Sequence, residues 1–490
     1  MNLITPDDLT QLKARYTQPQ FADAVANLQK IATYEMTHPL DIPTEGAGWT
    51  HNYTCPTHAT RLIFDRDKPH EHVCEIDGEV FSGGLYDEAW RAIRNNNLIE
   101  SAYASALLWV MSGEGSYRQH TLDILITYAQ NYPDYPVHGI NAGQGRVMGQ
   151  SLDEAVWTIP AAWAFGLIQD SLTDSETTFI RERLFRGLGD HLLTQLWTRI
   201  HNIQCWHLAG LATIGVLLDD EQYIQPIFDD QWGFTAQIEQ GVLDDGWWWE
   251  GSPHYHFYTL RALTSLGIAV RYRYPELLDN PRLQKMFTAP LELLRSDLSL
   301  PAYNDGWYNN ALSGGIAQYV VVYERAYNFW QEPIYLQLMA NVYQDYGTRD
   351  TVDALLFGAD TLPTAEPMPL KSLIQESSGY AILNSTDKQR QLILKYGPHG
   401  GGHGHPDKLS LVLWAYGQRL SPDLGTPGYG IPMNNSWYRH TLSHNTVLID
   451  ETAQPPQQGA LVHFDIREDF TLVSAKVDFN YDDNLWRGVH

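Results

Sequence analysis

Cysteine is nearly absent. Cys55, Cys74 and Cys205 are the three in 490 residues, too few for a disulfide framework. Long apolar runs are missing too. No stretch approaches the roughly 18 residues needed to cross a bilayer, so no membrane span is expected. Basic residues are scarce: 32 Lys and Arg stand against 58 Asp and Glu, for a net charge of −26. That balance excludes broad binding to nucleic acid or to an anionic membrane. The opening residues, Met1 to Asp8, carry neither a basic nor an apolar segment and do not read as a secretion signal. The chain is therefore expected to be cytoplasmic as it stands, or secreted or periplasmic if a signal has been removed. No fixed-period repeat is visible.

Apolar residues are ample, at 43%, which fits a folded chain rather than a disordered one. At this length more than one core is expected. Aromatics are plentiful, with 16 Trp and 28 Tyr, rings that suit both cores and sugar stacking.

Three textures follow one another along the chain. Residues 1–87 form a leader with two short helices and a small β-hairpin. In it, Cys55-Pro-Thr-His58 and Cys74-Glu-Ile-Asp77 have the look of zinc-ribbon knuckles. Asp77 is a poor fourth ligand, however, and a packed hairpin, with or without a Cys55–Cys74 bridge, is the preferred expectation. Residues 88–362 carry apolar positions at helical spacing, in segments such as Trp90–Met111, Leu152–Gln169, Asp174–Arg199, Tyr255–Tyr272, Leu283–Leu300 and Gly314–Tyr327. Thr173 and Ser252-Pro253 mark helix starts. Spacing alone leaves bundle, solenoid and closed toroid open. A Pro-rich linker near 360–369 leads into residues 363–490, where short segments alternate with period two, as in an antiparallel sandwich or barrel. These segments include Gln391–Tyr396, Leu409–Ala415, Asn445–Ile449 and Leu461–Ile466. The sandwich is expected to be incomplete at the C-terminal end.

The densest chemical signal is Tyr396-Gly-Pro-His399-Gly-Gly-Gly-His403-Gly-His405-Pro-Asp407-Lys408. Glycine permits tight turns and close approach. Imidazole suits proton transfer near neutral pH, or metal ligation. His405, Asp423 and His444 would make a two-His, one-carboxylate metal set, or else an ordinary His–Asp core network. From Gln391 to Asn445 there are four Lys or Arg, five His and only two acids. A locally basic wall on an acidic body could hold an anionic chain, and Arg439 lies in this stretch.

In the helical part, Asp-Gly-Trp247-Trp-Trp249-Glu250-Gly-Ser-Pro-His254-Tyr255-His-Phe-Tyr258 offers a tryptophan platform, with Tyr255 and Tyr258 one turn apart on one helix face. A tyrosine near cations loses its proton more readily and could act as base and then acid. The bland alternative is core aromatics. His201-Asn202-Ile203-Gln204-Cys-Trp-His207 places Asn202 as a helix N-cap or as an amide donor to a carboxylate. Arg146, Gln150 and Asp153 are expected on one helical face, with Arg146 as a carboxylate clamp or simply paired with Asp153.

Taken in order, the Asn202, Trp-Trp-Trp and His-Gly-His-x-Asp segments resemble the heparinase II/III-like polysaccharide lyases, a group that includes lyases acting on alginate and glycosaminoglycans. The likeness runs from about residue 50 to the end. It implies an incomplete (α/α) toroid followed by an antiparallel β-sandwich. It implies a site between them that cleaves a uronic-acid-containing polysaccharide by β-elimination. By resemblance the catalytic residues are Asn202, Tyr255 and His403, with Tyr429 as a further site tyrosine. His405, Asp423 and His444 would hold a structural divalent metal, zinc, with manganese or calcium as alternatives. Arg146, Gln150, His207, Trp247, Trp249, Tyr258, His399 and Arg439 complete the expected substrate-binding set. Where relatives carry a histidine just after the Asn, Ile203 and Gln204 stand here, and His201 or His207 would have to substitute. Two rivals are kept. One is a glycoside hydrolase using a carboxylate pair from Asp245, Glu250 and Asp305. The other is a non-catalytic carbohydrate-binding protein.

Overall fold

The computed structural model describes residues 3–139, 142–307, 315–480 and 486–489. Gly314, which opened one of the expected segments, lies outside the described residues. The chain divides into two compact units whose segments alternate along the sequence. The first comprises Met1–Gln237, Ala262–Asp279 and Thr348–Thr361; the second comprises Ile238–Arg261, Asn280–Gly347 and Leu362–His490.

The first unit is built of helices α1 (Pro6–Arg15), α2 (Ala22–Met36), α3 (Gly84–Ser112), α4 (Gly115–Asn131), α5 (Ser151–Ile168), α6 (Asp174–Ile180), α7 (Arg186–Thr194), α8 (Asn202–Leu218) and α9 (Glu221–Ile224). A three-stranded antiparallel sheet, β1 (Leu62–Ile63), β2 (His72–Cys74) and β3 (Val80–Phe81), precedes α3. Local chemistry explains the helix starts. Thr5 and Thr173 each form a capping box with the acid three residues on, Asp8 and Glu176, satisfying amides that the helix leaves free. Helix α3 packs against α2, α4 and α5, and α5 against α8. In its core Trp157 donates to the Asn95 carbonyl and Tyr128 to the Asn95 side chain. Glu35 sits buried between Arg66 and Arg94, at 2.8 and 2.7 Å. The segment read as one helix from 174 to 199 contains a π-turn at Arg181–Phe185 and ends at Thr194. The Cys55–Cys74 bridge is not formed: both are free, buried thiols.

Helix α10 (Phe234–Gly241) and helix α11 (Pro253–Val270) each run through a division point of the chain. The second unit takes the start of α11, helix α12 (Pro281–Glu292), the helices Val320–Trp330 and Pro333–Asp345, and the β-strands of the C-terminal part. Helix α12 ends at Glu292, well short of Leu300, and beyond it Leu298 takes a positive φ in a turn closed by its amide on the Arg295 carbonyl. Strands β6 (Leu373–Gln375), β7 (Tyr380–Asn384), β8 (Arg390–Lys395), β9 (Ser410–Ala415) and β10 (Gln418–Ser421) form a five-stranded antiparallel sheet in sequential order. The later strands Ala460–Ile466, Thr471–Asn480 and Trp486–Val489 form a second antiparallel sheet. Ala381, Leu394 and Tyr396 from the first sheet pack against Ala475 and Val473 from the second. Asn445–Ile449 is not a strand; only its Asn445 carbonyl joins the β9 edge, accepting from the Leu411 amide. No described helix is long and apolar enough to cross a membrane.

Candidate active site

The histidine loop joins β8 to β9, and space requires glycine at positions 400 and 404. Gly400 has φ +86°, and a Cβ there would lie 2.6 Å from the Glu250 carbonyl oxygen. A Cβ on Gly404 would fall 1.7 Å from the His399 carbonyl oxygen. The loop is pinned from below by buried charges. Lys395 bonds Asp407 at 2.5 Å and also reaches the Asn304 side chain. Asn304 donates to the Gly251 carbonyl at 2.7 Å and accepts from the His405 amide at 3.0 Å. Lys408 donates to the Pro398 carbonyl, and burial pulls its pKa down to about 8.

This scaffold brings Tyr255, His403 and Tyr429 together within the second unit. The rings of Tyr255 and His403 stack with centroids 3.4 Å apart. The Tyr429 hydroxyl lies 2.8 Å from the Tyr255 hydroxyl, 2.9 Å from Asp305 Oδ2 and 3.2 Å from His403 Nδ1. Asp305 is the hub. Its Oδ2 lies 2.8 Å from His403 Nδ1 and its Oδ1 lies 2.8 Å from His405 Nε2, while Arg439 Nη1 stands 3.7 Å away. Burial alone would raise the Asp305 pKa, but the bonds to His403 and His405 outweigh it and hold the carboxylate far below its usual range. Sequence reasoning had placed Asp305 only in the rival hydrolase pair.

The tyrosines are not activated in the way the sequence suggested. Burial raises Tyr255 well above its ordinary pKa; the Tyr429 hydrogen bond acts against this, and the charge of Asp305 adds to it. Tyr429 is raised likewise, by burial first. Both are neutral phenols, surrounded by acids rather than cations. Glu250, also buried, accepts from the Trp248 indole at 2.5 Å and lies 3.5 Å from His403 Nε2.

The other expected residues fall in several places. Arg439 donates to the Gly402 and Gly404 carbonyls and so braces the histidine loop. His399 is half-buried, and its pKa is lowered to about 4 by burial and then by Lys408 and Lys395. Tyr258 follows Tyr255 on α11 and stacks beside His254. Trp249 is half-buried, its ring against Gly401. The tryptophan platform does not include Trp247, which is fully buried and donates to the Gln375 side chain. In the first unit Asn202 is the buried first residue of α8, and the cap is His201, whose Nδ1 accepts from the Ile203 amide. His207 has no exposed surface and bonds Ser151 Oγ at 2.9 Å; burial lowers its pKa to about 3, so it offers no cation. Arg146, Gln150 and Asp153 do not share a helix face, because α5 begins at Ser151. Arg146 donates to the Tyr135 carbonyl, and Gln150 donates to Asp153.

Of the expected metal ligands, Asp423 and His444 come within ligand distance of one another together with Asp407, and His405 stands beside that group. The rings of His405 and His444 are 5.3 Å apart, and His444 Nδ1 lies 3.0 Å from Asp423 Oδ2. His405 Nδ1 and His444 Nε2 are buried without a hydrogen-bond partner among the described residues. Two orphaned imidazole nitrogens beside buried carboxylates, with Asp407 also in reach, form a donor set that fits a divalent cation.

Comparison with known proteins places this fold. Heparinase III matches over 100% of this chain and 76% of its own, with a TM-score of 0.59 at 16% identity. An alginate lyase from Bacteroides ovatus covers 73% of this chain and 99% of its own, with a TM-score of 0.51 at 14% identity. The fold is thus that of the polysaccharide lyases built as an incomplete (α/α) toroid followed by an antiparallel β domain. The chain belongs to the alginate lyase family, whose profile matches residues 42–294, and residues 369–475 match the heparinase II/III-like C-terminal profile. An alginate lyase of Stenotrophomonas maltophilia is 26% identical over 379 residues, 72% of this chain and 51% of that protein. An exo-oligoalginate lyase of Saccharophagus degradans is 25% identical over 437 residues, 80% of this chain and 57% of that protein. The chain therefore spans about half the length of these curated relatives.

Proposed function

We propose that the protein cleaves a uronate-containing polysaccharide or oligosaccharide by β-elimination, and that alginate is the first substrate to test. The observation that carries this is the stacked Tyr255–His403 pair with Asp305 on the imidazole. A proton held on Nδ1 and directed at Asp305 leaves Nε2 as the base. In this reading His403 Nε2 takes the C5 proton, and Glu250 and Asp305 stabilise the imidazolium. The electrons of the C5–H bond form the C4–C5 double bond as the C4–O4 bond breaks. Tyr255, a neutral phenol, gives its proton to O4 and recovers one through Tyr429. The charge that grows on the substrate carboxylate needs donors; Arg439 is the nearest cation to this cluster, and the resemblance assigns Asn202 to the same task.

His405, Asp423 and His444 would hold a divalent metal, zinc first. When bound there, it supplies a fixed positive anchor for the histidine loop.

Support also comes from the weakness of the hydrolase reading. Asp305 is occupied by two histidines, Glu250 by Trp248, and Asp245 by Ser378, whereas a hydrolase needs two carboxylates facing substrate. The test is a panel of alginate, hyaluronan, chondroitin and heparan, followed by the ultraviolet absorbance of the unsaturated uronate. A rise that Tyr255→Phe abolishes in a folded protein supports the reading. New reducing ends without absorbance would establish hydrolysis instead, and binding without turnover would leave a carbohydrate-binding protein.

A further inference from the structure

A second cluster of ligand-type side chains lies in the first unit, before α3. Cys55 Sγ is 3.6 Å and Cys74 Sγ is 3.4 Å from His58 Nδ1, and the three ligand atoms lie within 4.8 Å of one another. Asp77 Oδ2 stands 3.7 Å from the same nitrogen. Zinc bonds of about 2.3 Å to sulfur and about 2.0 Å to imidazole place those two ligands roughly 3.5 Å apart on a tetrahedron. The observed sulfur–nitrogen distances fall on either side of that value.

The backbone repeats one device twice. The Cys55 amide donates to the Thr60 carbonyl at 2.8 Å, and the Ala59 amide returns to the Cys55 carbonyl at 2.9 Å. The Cys74 amide donates to Glu79 at 2.9 Å, and Gly78 returns to Cys74 at 3.0 Å. The fifth residue of each loop has positive φ, +57° at Ala59 and +76° at Gly78. Each loop thus offers a sulfur and, three residues on, a second ligand, His58 or Asp77. The His58 amide donates to Cys55 Sγ at 3.4 Å. The second oxygen of Asp77 is fixed by the Glu79 amide. Both sulfurs are buried, while His58 and Asp77 are partly exposed, which leaves a route in from solvent.

We propose that Cys55, His58, Cys74 and Asp77 bind one divalent cation of the zinc class. The site is structural, because four protein ligands leave no open position for substrate. It explains how strands of two or three residues, too short to be stable by pairing alone, hold a fixed hairpin. It is independent of the lyase reading and of the His405–Asp423–His444 set, which has no sulfur.

Cobalt distinguishes the two sets, since only thiolate ligands give intense near-ultraviolet charge-transfer bands. The whole chain, reduced and stripped of metal, is titrated with Co²⁺. The expected result is a thiolate–cobalt band that saturates by two equivalents of total cobalt, with the intensity of one site, and is displaced by Zn²⁺. Cys55→Ser and Cys74→Ser should remove or halve the band, His58→Ala should weaken binding at least tenfold, and His444→Ala should leave the band intact. Absence of the band in the folded wild-type chain overturns the proposal without any variant. So does a non-reducing mass that shows Cys55 joined to Cys74.

Discussion

Replacing Asp305 with asparagine tests the central geometry most directly. The carboxylate accepts from His403 on one oxygen and from His405 on the other, and Tyr429 lies on the His403 side. An amide of the same shape keeps one acceptor and turns the other position into a donor. If the oxygen stays with His405, the new NH₂ faces His403 Nδ1, which must then give up its proton. The tautomer reverses, Nε2 carries the hydrogen, and the base is blocked. The imidazolium formed in the elimination also loses its buried counter-charge. General-base catalysis contributes on the order of 10²–10⁴-fold, so a fall in kcat of about 10³, or about 4 kcal/mol, is expected. Initial rates from unsaturated-uronate absorbance on alginate oligosaccharides measure it. Metal content and thermal unfolding, run in parallel, separate this from loss of the neighbouring His405 set. A folded, metal-competent Asp305→Asn protein within tenfold of wild type would refute the dyad. Tyr255→Phe should then still be inactive if the tyrosine alone carries the proton transfers.

Three further outcomes follow from the structure. Gly404→Ala should cost roughly 1–3 kcal/mol of stability by forcing a methyl against the His399 carbonyl; activity should fall at least tenfold, and rates and melting curves of the variant check both. Glu35→Gln should destabilise the protein by about 3–5 kcal/mol in denaturant titration, because Arg66 and Arg94 then share a buried site without a counter-charge. His207 is buried neutral in the fold, its pKa lowered to about 3, but takes a proton near pH 6.5 when unfolded. Stability therefore falls as pH drops below the unfolded value, by about 2 kcal/mol at pH 5, and His207→Gln should flatten that slope in thermal melts at pH 7 and 5.

Much of the helical architecture was legible because apolar spacing and caps are local. Thr173 and Pro253 marked real helix starts. What escaped depended on partners distant in sequence. Asp305 gives no local sign that it will meet two histidines about a hundred residues on. Trp247 read as a sugar platform because a surface ring and a core ring look alike in sequence; only burial against Gln375 separates them. The symmetry of the amide bonds in the Cys55 and Cys74 loops is invisible in residue types. Asn445–Ile449 alternates like a strand, yet its backbone meets β9 at one carbonyl.

The Asp305 hub has a consequence for how the protein comes into being. Its bonds to His403 and His405 join residues 98 and 100 positions apart, and Tyr429 and Arg439 arrive later still. A chain made from its N-terminus will have completed Tyr255 and Asp305 long before either histidine exists. Until then a buried carboxylate has no partner, and contacts of such long range form slowly. A nascent or truncated chain that stops before the β8–β9 loop carries Tyr255 and Asp305 without the histidines they meet, so under the proposed roles it would hold the proton donor without the base.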